Sequence, residues 1–121
     1  MGADDILNDI VTGLKTELGA GFGTIKTFAE RQGEMLAKQA ASIAKSRIDG
    51  ELATDDVFFE WLLDGLKKDT ANMAKSIAVL TVLTIEKAWN AIANAIWGGI
   101  RTILTAAGLP APLIPSQPPT V

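Results

Sequence analysis

The chain has 121 residues, a hydrophobic fraction of 48% and a formal net charge of −3. This length fits a single domain, and the acidic balance argues against direct nucleic-acid binding, which needs a basic surface. Because the chain has no histidine and no cysteine, we predict no catalytic residue, no metal site, no cofactor and therefore no enzymatic activity.

The apolar spacing predicts an all-α fold, a hairpin or bundle of three to four helices within residues 1–108. Asp4 and Asp5 suit the start of a first helix over about 4–18, because carboxylates are favourable at a helix N-terminus. Gly19-Ala-Gly-Phe-Gly23 follows and indicates a hinge or a close backbone crossing. A second helix is expected over about 24–48. If tertiary contacts cover the glycines, both segments instead form one helix of about 45 residues.

Asp49-Gly50 is the clearest turn, and it predicts that residues 24–48 pack antiparallel to part of the C-terminal half. Residues 49–60 resemble a calcium-binding loop in the spacing of their acids. Ala53 and Thr54 occupy the positions that need a ligand and a glycine, which excludes calcium. Thr54 is instead expected to cap a third helix over about 55–68.

The third helix carries three aromatic residues, Phe58, Phe59 and Trp61, within four positions. Such a cluster is either a hot spot for a partner or part of a helical core. We favour the core.

The last helix is expected over about 70–107, and it is the most apolar part of the chain. Between residues 76 and 107 only Glu86, Lys87 and Arg101 are charged. One face carries bulky residues and the other carries small ones, so both faces suit burial. Gly108 and Pro110 end this helix, and a proline-rich extended arm follows over 109–121.

Two apolar faces exceed what one short hairpin can cover, which predicts that this helix also contacts another copy of the chain. We expect Ile85, Trp89, Ile92 and Ile96 to be buried. The arm is expected to lie along a neighbouring copy, anchored by two apolar residues. The complete predicted interface is Val82, Ile85, Trp89, Ile92, Ala95, Ile96, Gly99, Ile103, Leu113 and Ile114.

These features predict a non-enzymatic structural subunit that homo-oligomerises within a larger assembly, such as a phage-type particle, beside other subunits. The alternative is a membrane-active protein (a pore former, holin or ejection protein) that inserts the 76–107 helix into a bilayer. Glu86-Lys87 disfavours a stable span, because this pair would lie near the bilayer centre. The start MGADDILND has no basic region, so no secretory signal is predicted. The expected location is a virion or a cytoplasmic particle, or a membrane under the alternative.

Overall fold

The computed structural model describes residues 2–110, and over this range the chain is all-α. Its helices are α1 (Ala3–Leu18), α2 (Phe22–Asp49), α3 (Asp56–Leu80) and α4 (Ile85–Ala106). A short 3₁₀ turn, Gly19–Gly21, joins α1 to α2. The predicted all-α class is therefore confirmed for the described part of the chain, with four helices packed together.

The first reversal occurs at the glycines between α1 and α2. Gly19 has a φ of 56°, a left-handed conformation that glycine adopts without a steric penalty. Beyond the turn, α2 runs back along α1, so that a Cβ atom at Gly33 would lie 3.0 Å from Leu7 Cδ1 and 3.5 Å from Ile10 Cγ2. The alternative of a single helix of about 45 residues is therefore wrong, and the hinge interpretation is correct.

The second reversal lies at Gly50, as the Asp49-Gly50 pair predicted. Asp55 is the N-cap of α3, because its side chain accepts a hydrogen bond of 2.9 Å from the backbone N–H of Phe58. The prediction that Thr54 caps this helix was wrong by one residue. Both side chains can cap a helix, but the carboxylate also interacts favourably with the helix dipole.

The predicted boundary between the third and fourth helices, at residues 68–70, is wrong. Thr70 is buried inside α3, where its hydroxyl donates to the Leu66 carbonyl at 2.7 Å and leaves the helix intact. The break comes at Thr81–Thr84. Thr81 accepts a hydrogen bond from the backbone N–H of Leu83, and Thr84 caps α4 by accepting from that of Lys87. Residues 76–107 are therefore not one continuous helix.

The end of α4 follows the prediction. Gly108 has a φ of 78°, and its N–H donates to the Thr105 carbonyl, while the N–H of Leu109 donates to the Leu104 carbonyl. This pair of hydrogen bonds is a Schellman motif, which closes a helix through a glycine. The predicted arm lies, from residue 111 onward, outside the described residues, as do Leu113 and Ile114.

The helices form a bundle with one close diagonal. Both α2 and α4 contact all the other helices, whereas α1 and α3 lie on opposite sides and share no comparable contact. Both helices carry small buried residues, which let neighbouring backbones approach closely. They are Ala29, Gly33, Ala37, Ala40 and Ala44 on α2, and Ala88, Ala93 and Gly99 on α4.

Candidate functional site

Most of the bulky face of α4 is covered by the chain's own helices. Trp89, Ile92 and Ile96 are buried, and Gly99 is buried with them. The rings of Trp89 and Trp97 lie 6.2 Å apart between centroids, as a tilted pair at the centre of this core. The expected burial of these large residues is confirmed, but it is achieved within one copy of the chain.

The other predicted interface residues differ in their exposure. Ala95 and Ile103 are half-buried against the core. Ile85 was expected to be buried but is 42% exposed, and Val82 is 94% exposed. Both residues lie at the end of the bundle where α4 begins. The prediction assumed one longer helix through this region, which would have placed them on the side of that helix.

The exposed large apolar side chains fall mainly into two groups at opposite ends of α3. The first group, the aromatic ridge, consists of Val57, Phe58 and Trp61. The second, the apolar corner, consists of Val79, Leu80, Val82 and Ile85, around the break between α3 and α4. The two groups lie roughly 33 Å apart along α3, at a helical rise of about 1.5 Å per residue. Met35, on α2, is also exposed.

The aromatic cluster Phe58, Phe59 and Trp61 was expected to be core, and that interpretation holds only for Phe59. Phe59 is buried beneath the Arg47 guanidinium, which lies 4.4 Å from its ring centroid. Trp61 is 66% exposed, and its ring lies 5.7 Å from that of Phe58, toward the start of the helix. Phe58 and Trp61 thus form an outward-facing pair, which is the arrangement of a partner-binding hot spot.

A hollow of about 630 Å³ adjoins Trp61 on its other side. Gly65 lies one helical turn after Trp61 and forms part of the hollow's wall, and a Cβ atom placed on it would meet nothing within 4 Å. The same stretch of helix therefore presents a large projecting ring and an open space beside it. The remaining lining residues are Gln39, Leu62, Asp64, Lys67, Lys68 and Ala71.

Beside the hollow, negative side chains precede Gly65 on α3 and positive side chains follow it. Glu60 and Asp64 precede Gly65, and Lys67 and Lys68 follow it. All four are surface positions at least partly open to solvent. An antiparallel copy of this helix would therefore find opposite charges across from its own.

The acidic side chains of the described residues do not gather into a candidate metal site. Residues 2–110 contain no group of three or more acidic side chains that could hold a metal ion. Glu34 accepts a hydrogen bond of 2.9 Å from Lys38, which lies four residues later on α2. That hydrogen bond and the charge of the Glu34 carboxylate raise the pKa of Lys38. This pair is a solvated ion pair, as its spacing predicted.

Among residues 2–110, no helix is long and apolar enough to cross a bilayer. Glu86 and Lys87 lie in the first turn of α4, where the helix begins at the protein surface.

The chain matches no protein-family model, no curated protein sequence and no solved structure.

The sequence offered a hot spot at Trp61 only as the disfavoured alternative, and Gly65 was not singled out from the sequence. The signal was a glycine in the interior of a helix, four residues after a tryptophan. A glycine there destabilises the helix by roughly 1 kcal/mol relative to alanine, so its presence suggests a need for space.

Proposed function

We propose that the chain is a non-enzymatic helical subunit that self-associates, and that the ridge and hollow on α3 are its contact surface. The observation that carries this proposal is the exposed Trp61 ring one turn from the open Gly65. A projecting ring and a receiving space on one surface are what a two-fold symmetric contact requires.

In the proposed contact, two α3 helices cross antiparallel about a two-fold axis between Trp61 and Gly65. The Trp61 ring of each copy enters the hollow at Gly65 of the other. The same symmetry, with its axis at residue 63, brings Glu60 of one copy close to Lys67 of the second. Ring burial supplies affinity, and charge complementarity selects the antiparallel orientation.

This proposal moves self-association from α4 to α3. The α4 residues Trp89, Ile92 and Ile96 are already covered by the chain's own helices, so they are not free to contact a second copy. The expected role in a larger assembly, with further subunits, is kept as part of the proposal. It is supported by a second exposed apolar group at the other end of the molecule, which leaves the subunit a separate surface for attachment to another component of an assembly.

Sedimentation velocity of wild type and of Trp61→Ala tests the contact. Truncating a central aromatic hot spot typically weakens binding by at least 2 kcal/mol, so we expect the dissociation constant to rise about 30-fold or more. Val79→Ala is the control, because it truncates an apolar side chain that is even more exposed than Trp61, at the opposite end of α3. Val79→Ala should keep the wild-type mass. A Trp61→Ala protein with unchanged mass and dissociation constant would refute the proposal.

A further inference from the structure

The apolar corner has the most exposed aliphatic side chains in the described part of the chain. Val82 is 94% exposed and Val79 is 85% exposed, with Leu80 and Ile85 beside them. From Ser76 to Ile85 the sequence carries no charge. Lys75 on α3 precedes this stretch, and Glu86 and Lys87 on α4 follow it.

Threonine side chains hydrogen-bond several backbone groups of the corner. The Thr81 hydroxyl donates to the Ile77 carbonyl at 2.7 Å and accepts from the Leu83 N–H. Thr84 accepts from the Lys87 N–H at 3.1 Å. Leu83 is buried and anchors the corner to the core. Such a tip can leave water without stranding these hydrogen-bonding groups.

The charges divide the molecule into two unlike ends. The end that carries the corner comprises residues 15–27 and 75–90, because α1 and α3 end there and α2 and α4 begin there. Those residues contain four lysines and two glutamates, a net charge of +2. The whole chain has −3, so the remainder carries −5. The exposed aliphatic side chains therefore project from the only basic end of an otherwise acidic molecule, within the described residues.

We propose that this end docks on an anionic lipid surface, with Val79, Leu80, Val82 and Ile85 entering the bilayer interface. Lys75 and Lys87, and the neighbouring Lys15 and Lys26, face the lipid headgroups. Aliphatic burial combined with lysine attraction to anionic lipid is the usual basis of interfacial membrane binding. The docking is peripheral and needs no spanning helix.

Charge favours this occupant over a symmetric contact between two copies. A two-fold contact at the corner would bring two ends of net charge +2 together. The corner also offers neither an aromatic ring nor an arginine, the residues that dominate protein–protein hot spots. The −5 remainder of the molecule is directed away from an anionic bilayer, which orients the protein with its aromatic ridge outward.

Co-sedimentation with vesicles tests the proposal. The probes are vesicles of phosphatidylcholine alone and vesicles of phosphatidylcholine with phosphatidylserine in equal parts. Wild type should pellet with the anionic vesicles and stay in solution with the neutral ones. Raising the salt concentration should release it, because surface electrostatics are screened.

Val82→Asp should lower the affinity for anionic vesicles at least tenfold. Met35→Asp is the matched control, since it also places a new carboxylate at an exposed apolar position and changes the net charge equally, but on the flank of α2. It should bind as wild type does. Circular dichroism would verify that both variants are folded.

Three results would overturn the proposal. They are failure of wild type to pellet with anionic vesicles, equal binding to neutral vesicles, and equal loss of binding in Val82→Asp and Met35→Asp. A Val82→Asp protein whose mass in solution falls while vesicle binding is unchanged would identify the corner as a contact between copies instead.

Discussion

Arg47 Nη2 donates to Asp56 Oδ1 at 2.7 Å and so ties the end of α2 to the start of α3. The same guanidinium donates through Nη1 to the Leu52 carbonyl at 2.8 Å and lies over the Phe59 ring. Arg47 is only 3% exposed, whereas the Asp56 side chain is 71% exposed. One buried cation therefore closes the turn that positions the aromatic ridge.

The unequal burial of this pair predicts unequal effects of removing either partner. Asp56→Ala leaves a buried guanidinium without its anion, and we expect a loss of about 2–3 kcal/mol of unfolding free energy. Arg47→Met leaves a carboxylate that water can solvate, and it should lose about 1–2 kcal/mol. Urea unfolding followed by circular dichroism would measure both. Lys45→Met, at an exposed position, is the control and should change the unfolding free energy little. A larger loss of unfolding free energy for Arg47→Met than for Asp56→Ala would contradict this account.

Two glycines with unlike surroundings predict opposite responses to alanine. A Cβ atom at Gly13 would lie 3.2 Å from the Ala91 backbone carbonyl oxygen, where α1 meets α4. Because a backbone cannot move aside as a side chain tip can, Gly13→Ala should destabilise the fold by about 1–2 kcal/mol. Gly65→Ala meets open space and should stabilise the monomer by about 0.5–1 kcal/mol. Unfolding midpoints measured below the self-association concentration would show shifts of opposite sign, and stabilisation by Gly13→Ala would argue against the close α1–α4 contact.

The sequence was most informative where a local signal has one structural outcome. Gly50 and Gly108 marked the end of a helix because few other residues close a helix so readily. Threonine was an ambiguous signal for a helix boundary. The Thr70 hydroxyl donates to a carbonyl within α3 and leaves the helix intact, whereas Thr81, whose hydroxyl makes the same kind of hydrogen bond, lies where α3 ends. The bulk around Trp89 and Ile92 predicted burial, but an apolar face does not say which element covers it. The cover comes from α1, α2 and α3, whose arrangement depends on all the loops at once.

Ile92 distinguishes a core in one copy from an interface between copies. It is fully buried in the structure, so Ile92→Asp should unfold the chain, with a loss above about 4 kcal/mol. Ile85→Asp places a carboxylate at the exposed start of α4 and should stay within about 0.5 kcal/mol of wild type. Circular dichroism and sedimentation would be recorded on both variants. A folded Ile92→Asp monomer would instead place Ile92 against another subunit, as the sequence predicted.

The central claim is that Trp61 of one copy occupies the hollow at Gly65 of another, and sedimentation velocity of Gly65→Leu tests it most directly. The Cβ atom of the new side chain meets nothing within 4 Å, so the leucine can occupy the hollow, and it adds exposed apolar surface. Unspecific hydrophobic contact would therefore strengthen association, whereas the proposed contact is blocked. Gly23→Leu is the control, because Gly23 is also exposed with open space around it. We predict that Gly65→Leu is a folded monomer while Gly23→Leu keeps the wild-type mass; a Gly65→Leu protein that associates as strongly as wild type, or more strongly, would contradict the account.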